Sequence, residues 1–214
     1  IGDSIFIDCT NLKELDITSP IQKLGSKSFK GCTHLGHVSL PDTVTVIEGS
    51  AFEGCADFNN FVIPPNCGAI NEFTFFECCV LKSIKIPGFV AFIGPSAFER
   101  CTSLSEISIP PSVTAIKSFA FADCKRLKEV TFEGNSSLRI IGRYAFKNCV
   151  LLTEISIPSS VTFIEGYAFS ECANLNKVTF DGNSNLESIE SYAFKKCVSL
   201  TEISIPSSVK RIEA

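Results

Sequence analysis

The chain has no tryptophan and no methionine, and only two histidines in 214 residues. His34 and His37 stand three apart, but a metal centre needs more ligands than two imidazoles, so both read as exposed turn and strand residues. Positive charge is not in excess either. The 19 Lys and Arg are outnumbered by 23 Asp and Glu, for a net charge of −4. That balance excludes the basic footprint of a nucleic-acid binder. No apolar run approaches the roughly 18 residues of a membrane-spanning helix, so direct membrane insertion of this segment is not expected. The first residues, Ile1-Gly2-Asp3-Ser4, lack the basic and apolar regions of a signal peptide. Glycine-rich phosphate loops, zinc signatures and nucleophile elbows are absent. The acidic pairs that do occur recur with the period of the chain, as a solvated face would. No catalytic residue, cofactor site or metal site is therefore expected.

Cysteine is present in abundance, at eleven residues, and nine of them keep a fixed company. A phenylalanine stands three residues before each, as Phe6/Cys9, Phe29/Cys32, Phe52/Cys55, Phe75/Cys78, Phe98/Cys101, Phe121/Cys124, Phe146/Cys149, Phe169/Cys172 and Phe194/Cys197. The step between cysteines is 23 residues, with two steps of 25 at Cys124 to Cys149 and Cys172 to Cys197. Self-similarity at such a period marks a leucine-rich-repeat solenoid. The expected fold is α/β: a solenoid of about nine coils of 23–25 residues, forming one domain over residues 1–214. Ile1 already occupies a repeat position and Ala214 stops in mid-repeat, so a fragment of a longer protein is expected.

Stacked coils bring equivalent side chains about 4.8 Å apart with parallel vectors. A disulfide needs Cβ atoms at about 3.8 Å that converge, and one cysteine per coil makes a line, not a tetrahedron. The ladder cysteines are thus read as buried free thiols. Cys67 replaces Val or Leu in its column and is expected in the core, which leaves Cys79 as the thiol expected to be most exposed.

Positions are numbered here from each ladder cysteine. Aliphatic or aromatic residues at +6 and +8, such as Ile107 and Ile109, alternate with polar ones at +5 and +7, the period of a half-buried strand. Proline at +9, as in Pro110 and Pro158, ends that strand. From −8 the apolar spacing becomes −8, −4, −3, 0 and +3, as in Ile141, Ala145, Phe146, Cys149 and Leu152. This is helical spacing, and it predicts a short helix or 3-10 turn opposite one parallel sheet. The 25-residue repeats insert Glu133-Gly134-Asn135-Ser136-Ser137 and Asp181-Gly182-Asn183-Ser184-Asn185, turn-rich sequences expected to bulge at one edge of the sheet.

Segments such as Ala145-Phe146-Lys147-Asn148-Cys149 through Ile157-Pro158-Ser159-Ser160-Val161 resemble the BspA-type leucine-rich repeat over essentially the whole chain. The resemblance implies a curved right-handed solenoid, no catalytic motif, and a setting at the cell surface or in the secreted fraction of host-associated bacteria or mucosal protozoa. It further implies adhesion, with a host, extracellular-matrix or surface protein as partner. A structural spacer for a domain elsewhere, or an intracellular regulatory repeat suited to free thiols in the cytoplasm, remains open as an alternative.

The variable columns carry the candidate sites. Strand-face positions +5 and +7 include Asp16, Lys85, Glu106, Glu129, Glu154, Lys177 and Glu202. They form either a solvated acidic face or a stripe that binds a basic partner or a cation. Phe73, Phe76, Phe89 and Phe92 crowd one region as an interface candidate. The column at −5, holding Phe73, Phe119, Tyr144, Tyr167 and Tyr192, is read as packing across neighbouring turns. Asn135-Ser136-Ser137 is an N-glycosylation sequon in a predicted surface bulge, meaningful only where the chain is made in a secretory pathway.

Overall fold

The computed structural model describes residues 1–59 and 61–213. Asn60 of the +5 column and Ala214 lie outside the described residues. Each coil turns the chain once, and all strand pairings are parallel and link equivalent positions of successive coils, such as Ile155 with Val178. Parallel strands joined by a crossover wind right-handed, the hand that the resemblance implies.

The long strands occupy +5 to +8, at Glu14–Asp16, His37–Ser39, Glu106–Ile109, Glu129–Phe132, Glu154–Ile157, Lys177–Phe180 and Glu202–Ile203. They alternate as expected. In Glu154–Ile157, Ile155 and Ile157 are buried while Glu154 and Ser156 are exposed. The strand stops before Pro158, whose carbonyl accepts the N–H of Val161 at 3.0 Å, closing the turn.

Residues 59–63 and 83–86 are an exception, since no long strand forms among the described residues of either stretch. The cause is the size of two side chains. Phe58 stands where other coils place Leu, and Phe61 where they place Val, Ile or Leu. Their rings pack on Phe52 at 4.9 and 5.0 Å, and Phe61 reaches Phe75 at 5.7 Å. The Phe52–Phe75 spacing, 5.8 Å, is the widest in the phenylalanine ladder. Overfilled cores push on the backbone, and the ladder is interrupted beside these rings while inward Ile84 and Ile86 stay buried. Pairing also weakens across each insertion. Glu129–Phe132 is not paired with Glu154–Ile157, and Lys177–Phe180 pairs with the next long strand over only two residues.

The return segment corrects the helical reading. No helix forms among the described residues. Position −8 instead belongs to a second parallel ladder of two-residue strands, which runs unbroken as six strands from Phe92–Ile93 to Arg211–Ile212. From −7 onward the coil is a chain of turns. Position −5 has positive φ in every coil, from Ser4 at 57° to Tyr192 at 62°. Position −1 does the same, from Asp8 at 57° to Lys196 at 61°, with Gly31 and Gly54 at 73°. A left-handed residue every fourth position stops a helix from propagating. The backbone donors then alternate in target. Lys147 and Cys149 donate within the coil to Tyr144 and Phe146, whereas Phe146 and Asn148 donate to Ala168 and Ser170 of the next coil, at 2.8 Å each. The predicted burial survives, with Ala145, Phe146, Cys149 and Leu152 all inside. The single i→i+3 closures are what remains of the predicted 3-10 character.

Gly54 offers a clean measure of this strain, because a Cβ there would meet nothing nearer than Gly31 at 3.8 Å. Gly54→Ala is expected to cost about 1–2 kcal/mol from the backbone alone, read as a lower midpoint in urea unfolding. An unchanged midpoint would show that the left-handed position carries no cost.

The phenylalanines at −3 stack along the axis with ring centroids 5.2–5.8 Å apart and planes within 12° of parallel. Beside them runs a thiol ladder. Each Sγ from Cys32 to Cys197 donates to the carbonyl of the ladder phenylalanine in the coil before, at 3.0–3.3 Å. The same carbonyl accepts the N–H of its own coil's cysteine, as Phe29 O does from Cys32 N at 3.1 Å. Cysteine suits the site because it is small and apolar yet retains a weak donor. All eleven cysteines are free thiols. Exposure departs from expectation at one place: Cys9, in the first coil, is exposed, while Cys79 is only partly so.

Candidate functional site

The outward +5 and +7 side chains of the long strands form the face that varies from coil to coil. Parallel register fixes their order. Glu106 lies opposite Glu129, and Glu154, Lys177 and Glu202 lie in one row. Strand spacing sets such neighbours about 5 Å apart. Glu106, Glu129, Glu154, Lys177 and Glu202 are all exposed. Among the described residues, none of the four carboxylates in this set forms an ion pair with lysine or arginine.

Open depressions follow this face. One of about 450 Å³ is lined by Lys85, Glu106, Glu129, Ser108, Thr131 and Glu133. A second, of about 520 Å³, gathers Glu129, Glu154 and Lys177, and a third, of about 530 Å³, gathers Lys177 and Glu202. The structure therefore brings six of the seven strand-face candidates into one continuous band. Asp16 is the exception, lying at the far end with its Oδ1 3.6 Å from Nε2 of His37. Lys85 joins the band from an extended segment outside any named strand.

Two acids in the band were not singled out from the sequence. Glu133 accepts the Ser108 hydroxyl at 2.6 Å, and Asp181 accepts that of Ser156 at 2.8 Å. Both open a five-residue segment that makes its repeat two residues longer, and they stand where six of the other seven coils have proline. An acid replacing the strand-ending proline is the signal that marks them. Ser108 in turn accepts the Thr131 hydroxyl at 3.1 Å, so the floor of the first depression is a hydrogen-bonded chain ending on a carboxylate.

The aromatic candidates divide. Phe73 and Phe76 meet edge-to-face at 5.6 Å, with the Arg100 guanidinium 5.8 Å from the Phe76 ring. Phe92 lies in the short-strand ladder under the Lys117 ammonium at 4.2 Å. Phe89 stands in the turn after Pro87, 72% exposed. Among the described residues, Phe73 and Phe76 pair with each other, and neither stacks on Phe89 or Phe92. The −5 column does pack across turns: Phe119, Tyr144, Tyr167 and Tyr192 stack at 4.6–4.8 Å. Arg143 and Lys195 lie over its rings at 4.8–5.6 Å, a cation–π brace that the spacing alone did not reveal.

His34 Nδ1 lies 2.8 Å from the Thr10 carbonyl. Among the described residues no three His, Cys, Asp or Glu converge on a metal-sized site. No described helix is long and apolar enough to cross a membrane.

The sequence profile of the BspA type leucine rich repeat region matches residues 1–117 and 91–214, with six copies. The chain belongs to the BspA-type leucine-rich repeat family. The fold of this BspA-type solenoid is shared with a leucine-rich repeat protein from Bacteroides ovatus ATCC 8483, at 30% identity and a TM-score of 0.84 over 94% of this chain. The present chain spans 53% of that protein's length. A second, from Eubacterium ventriosum ATCC 27560, is 22% identical with a TM-score of 0.68, covering 100% of this chain and 66% of the other. No curated protein matches the sequence. In this BspA-type coil the Phe/Cys pair is the structural constant, and the strand-face charges are what distinguish one coil from the next.

Proposed function

We propose that this solenoid is a non-catalytic protein-binding module that presents its long-strand face to a basic surface of a host, extracellular-matrix or cell-surface protein. The observation that carries the reading is the placement of Glu106 opposite Glu129 in hydrogen-bonded register with neither ion-paired. Like charges facing across a parallel ladder cost stability, and the solenoid needs neither for its core. Glu133 and Glu154 extend the acidic band on the same face. Lys177 interrupts it, so the face has a defined charge order and not a uniform field.

The test is charge reversal. The variant Glu106→Lys/Glu129→Lys/Glu154→Lys, screened against immobilised extracellular-matrix proteins, is expected to bind at least about tenfold more weakly than the parent, with a flatter salt dependence and most of the loss in the association rate. Its unfolding midpoint should not fall, because all three side chains are solvent-exposed. Binding that is equal in parent and variant, or absent from both, contradicts the proposal.

A further inference from the structure

We propose that Asn135 is an acceptor for N-linked glycosylation. The sequon Asn135-Ser136-Ser137 lies in the first five-residue insertion, and the backbone holds that insertion by its ends. Glu133 N donates to Ile109 O at 2.9 Å and Ser137 N to Pro111 O at 3.1 Å, while Leu138 is fully buried. Ser136 is taken up locally, its Oγ accepting Leu138 N at 3.2 Å. Gly134 takes the left-handed conformation of the turn, at φ 50°. What projects is Asn135 with Ser137, both exposed, and the amide of Asn135 is engaged by none of the side-chain hydrogen bonds of the bulge. The sequon thus presents its amide and the hydroxyl two residues on with nothing to displace, and a sugar there leaves the Phe/Cys core untouched.

The chemistry required is a transfer. Asn135 Nδ2 forms a bond to C1 of the reducing-end sugar of a polyprenyl-pyrophosphate-linked oligosaccharide, the lipid pyrophosphate departs with the bonding pair, and Nδ2 gives up one proton. A chain routed through a secretory pathway that holds this donor and its transferase meets both.

The second insertion is a built-in comparison. Asp181-Gly182-Asn183-Ser184-Asn185 is anchored alike, through Asp181 N to Ile157 O at 3.0 Å, Asn185 N to Ser159 O at 2.9 Å and Leu186 N to Ser184 Oγ at 3.3 Å. Asn183 matches Asn135 in sequence position, though it carries the left-handed φ itself, at 58°, and Asn185, whose Nδ2 also donates to Ser159 O at 3.0 Å, replaces the hydroxyl residue. The experiment is translation of the full chain, behind a signal peptide, with endoplasmic-reticulum microsomes. One glycan, released by peptide N-glycosidase, is expected on the parent chain, none on Asn135→Gln or Ser137→Ala, and two on Asn185→Ser. A parent chain left unmodified in microsomes that glycosylate a control protein overturns the assignment, as does a glycan that survives Ser137→Ala. A single glycan on Asn185→Ser overturns the role given to the bulge.

Discussion

Raising the pH from 8 to 10.5 is expected to unfold the solenoid. Burial pushes the thiols of Cys32, Cys67 and Cys197 up to about 11. It pushes those of Cys55, Cys78, Cys101, Cys124, Cys149 and Cys172 higher still. In the unfolded chain a cysteine titrates near 8.5. The folded values are raised, so the folded state holds protons that the unfolded state releases. Stability is therefore fully present below about pH 8.5 and lost as pH rises toward the folded values. Each thiol removes about 1.4 kcal/mol per pH unit in that window, and together they amount to a slope on the order of 10 kcal/mol per pH unit. A domain typically has about 5–15 kcal/mol to lose. Far-UV circular dichroism under reducing conditions should show a steep transition between about pH 9 and 10.5. In the variant Cys101→Ala/Cys124→Ala/Cys149→Ala the slope of stability against pH, taken from urea melts, should fall by about a third. Stability that stays flat from pH 8 to 10 would mean the thiols ionise in place.

Phe121→Ala is expected to cost about 3–5 kcal/mol. Phe121 is fully buried and its ring lies 5.3 Å from both Phe98 and Phe146, so truncation opens a hole that interrupts the stack in both directions. Phe6→Ala should cost far less, about 1 kcal/mol, because Phe6 is only partly buried and stacks on Phe29 alone. In a solenoid each coil contacts only its neighbours, so the loss scales with the stacked partners described for each ring, two for Phe121 and one for Phe6. Denaturant unfolding of the pair measures the difference, and equal costs would refute the nearest-neighbour account.

Much of this architecture was legible because the repeat writes the same physics nine times. The Phe/Cys pair, the alternation that ends at proline, and the bulges at 133–137 and 181–185 all appear where the spacing put them. The return segment was not legible, for a specific reason. Helices and stacked turns both send inward a side chain every third or fourth residue, so Ala145, Phe146 and Cys149 fit either. What separates them is positive φ at −5 and −1, and those positions hold Ser, Lys, Phe, Tyr, Asp, Glu, Arg and Asn far more often than glycine. The second ladder hid because a two-residue strand has no alternation to read. At Phe58 and Phe61 the column pattern was correct, but residue size broke the strand that the pattern promised. The candidate face was legible as columns, and Glu106 opposite Glu129 followed from register. Glu133 and Asp181 did not, because they reach the face from the insertions through hydrogen bonds to Ser108 and Ser156.

The account rests on the repeated cysteines being interior, protonated donors to the phenylalanine carbonyls. Thiol labelling at pH 8 without denaturant, read residue by residue by mass spectrometry, tests this directly. Cys9 and Cys79 are expected to label readily, since they alone are not buried. The other nine should label at least about a hundredfold more slowly than in urea, as groups that open only with sub-global unfolding do. Ladder thiols such as Cys101, Cys124 and Cys149 reacting as fast in the native protein as in urea would contradict the account.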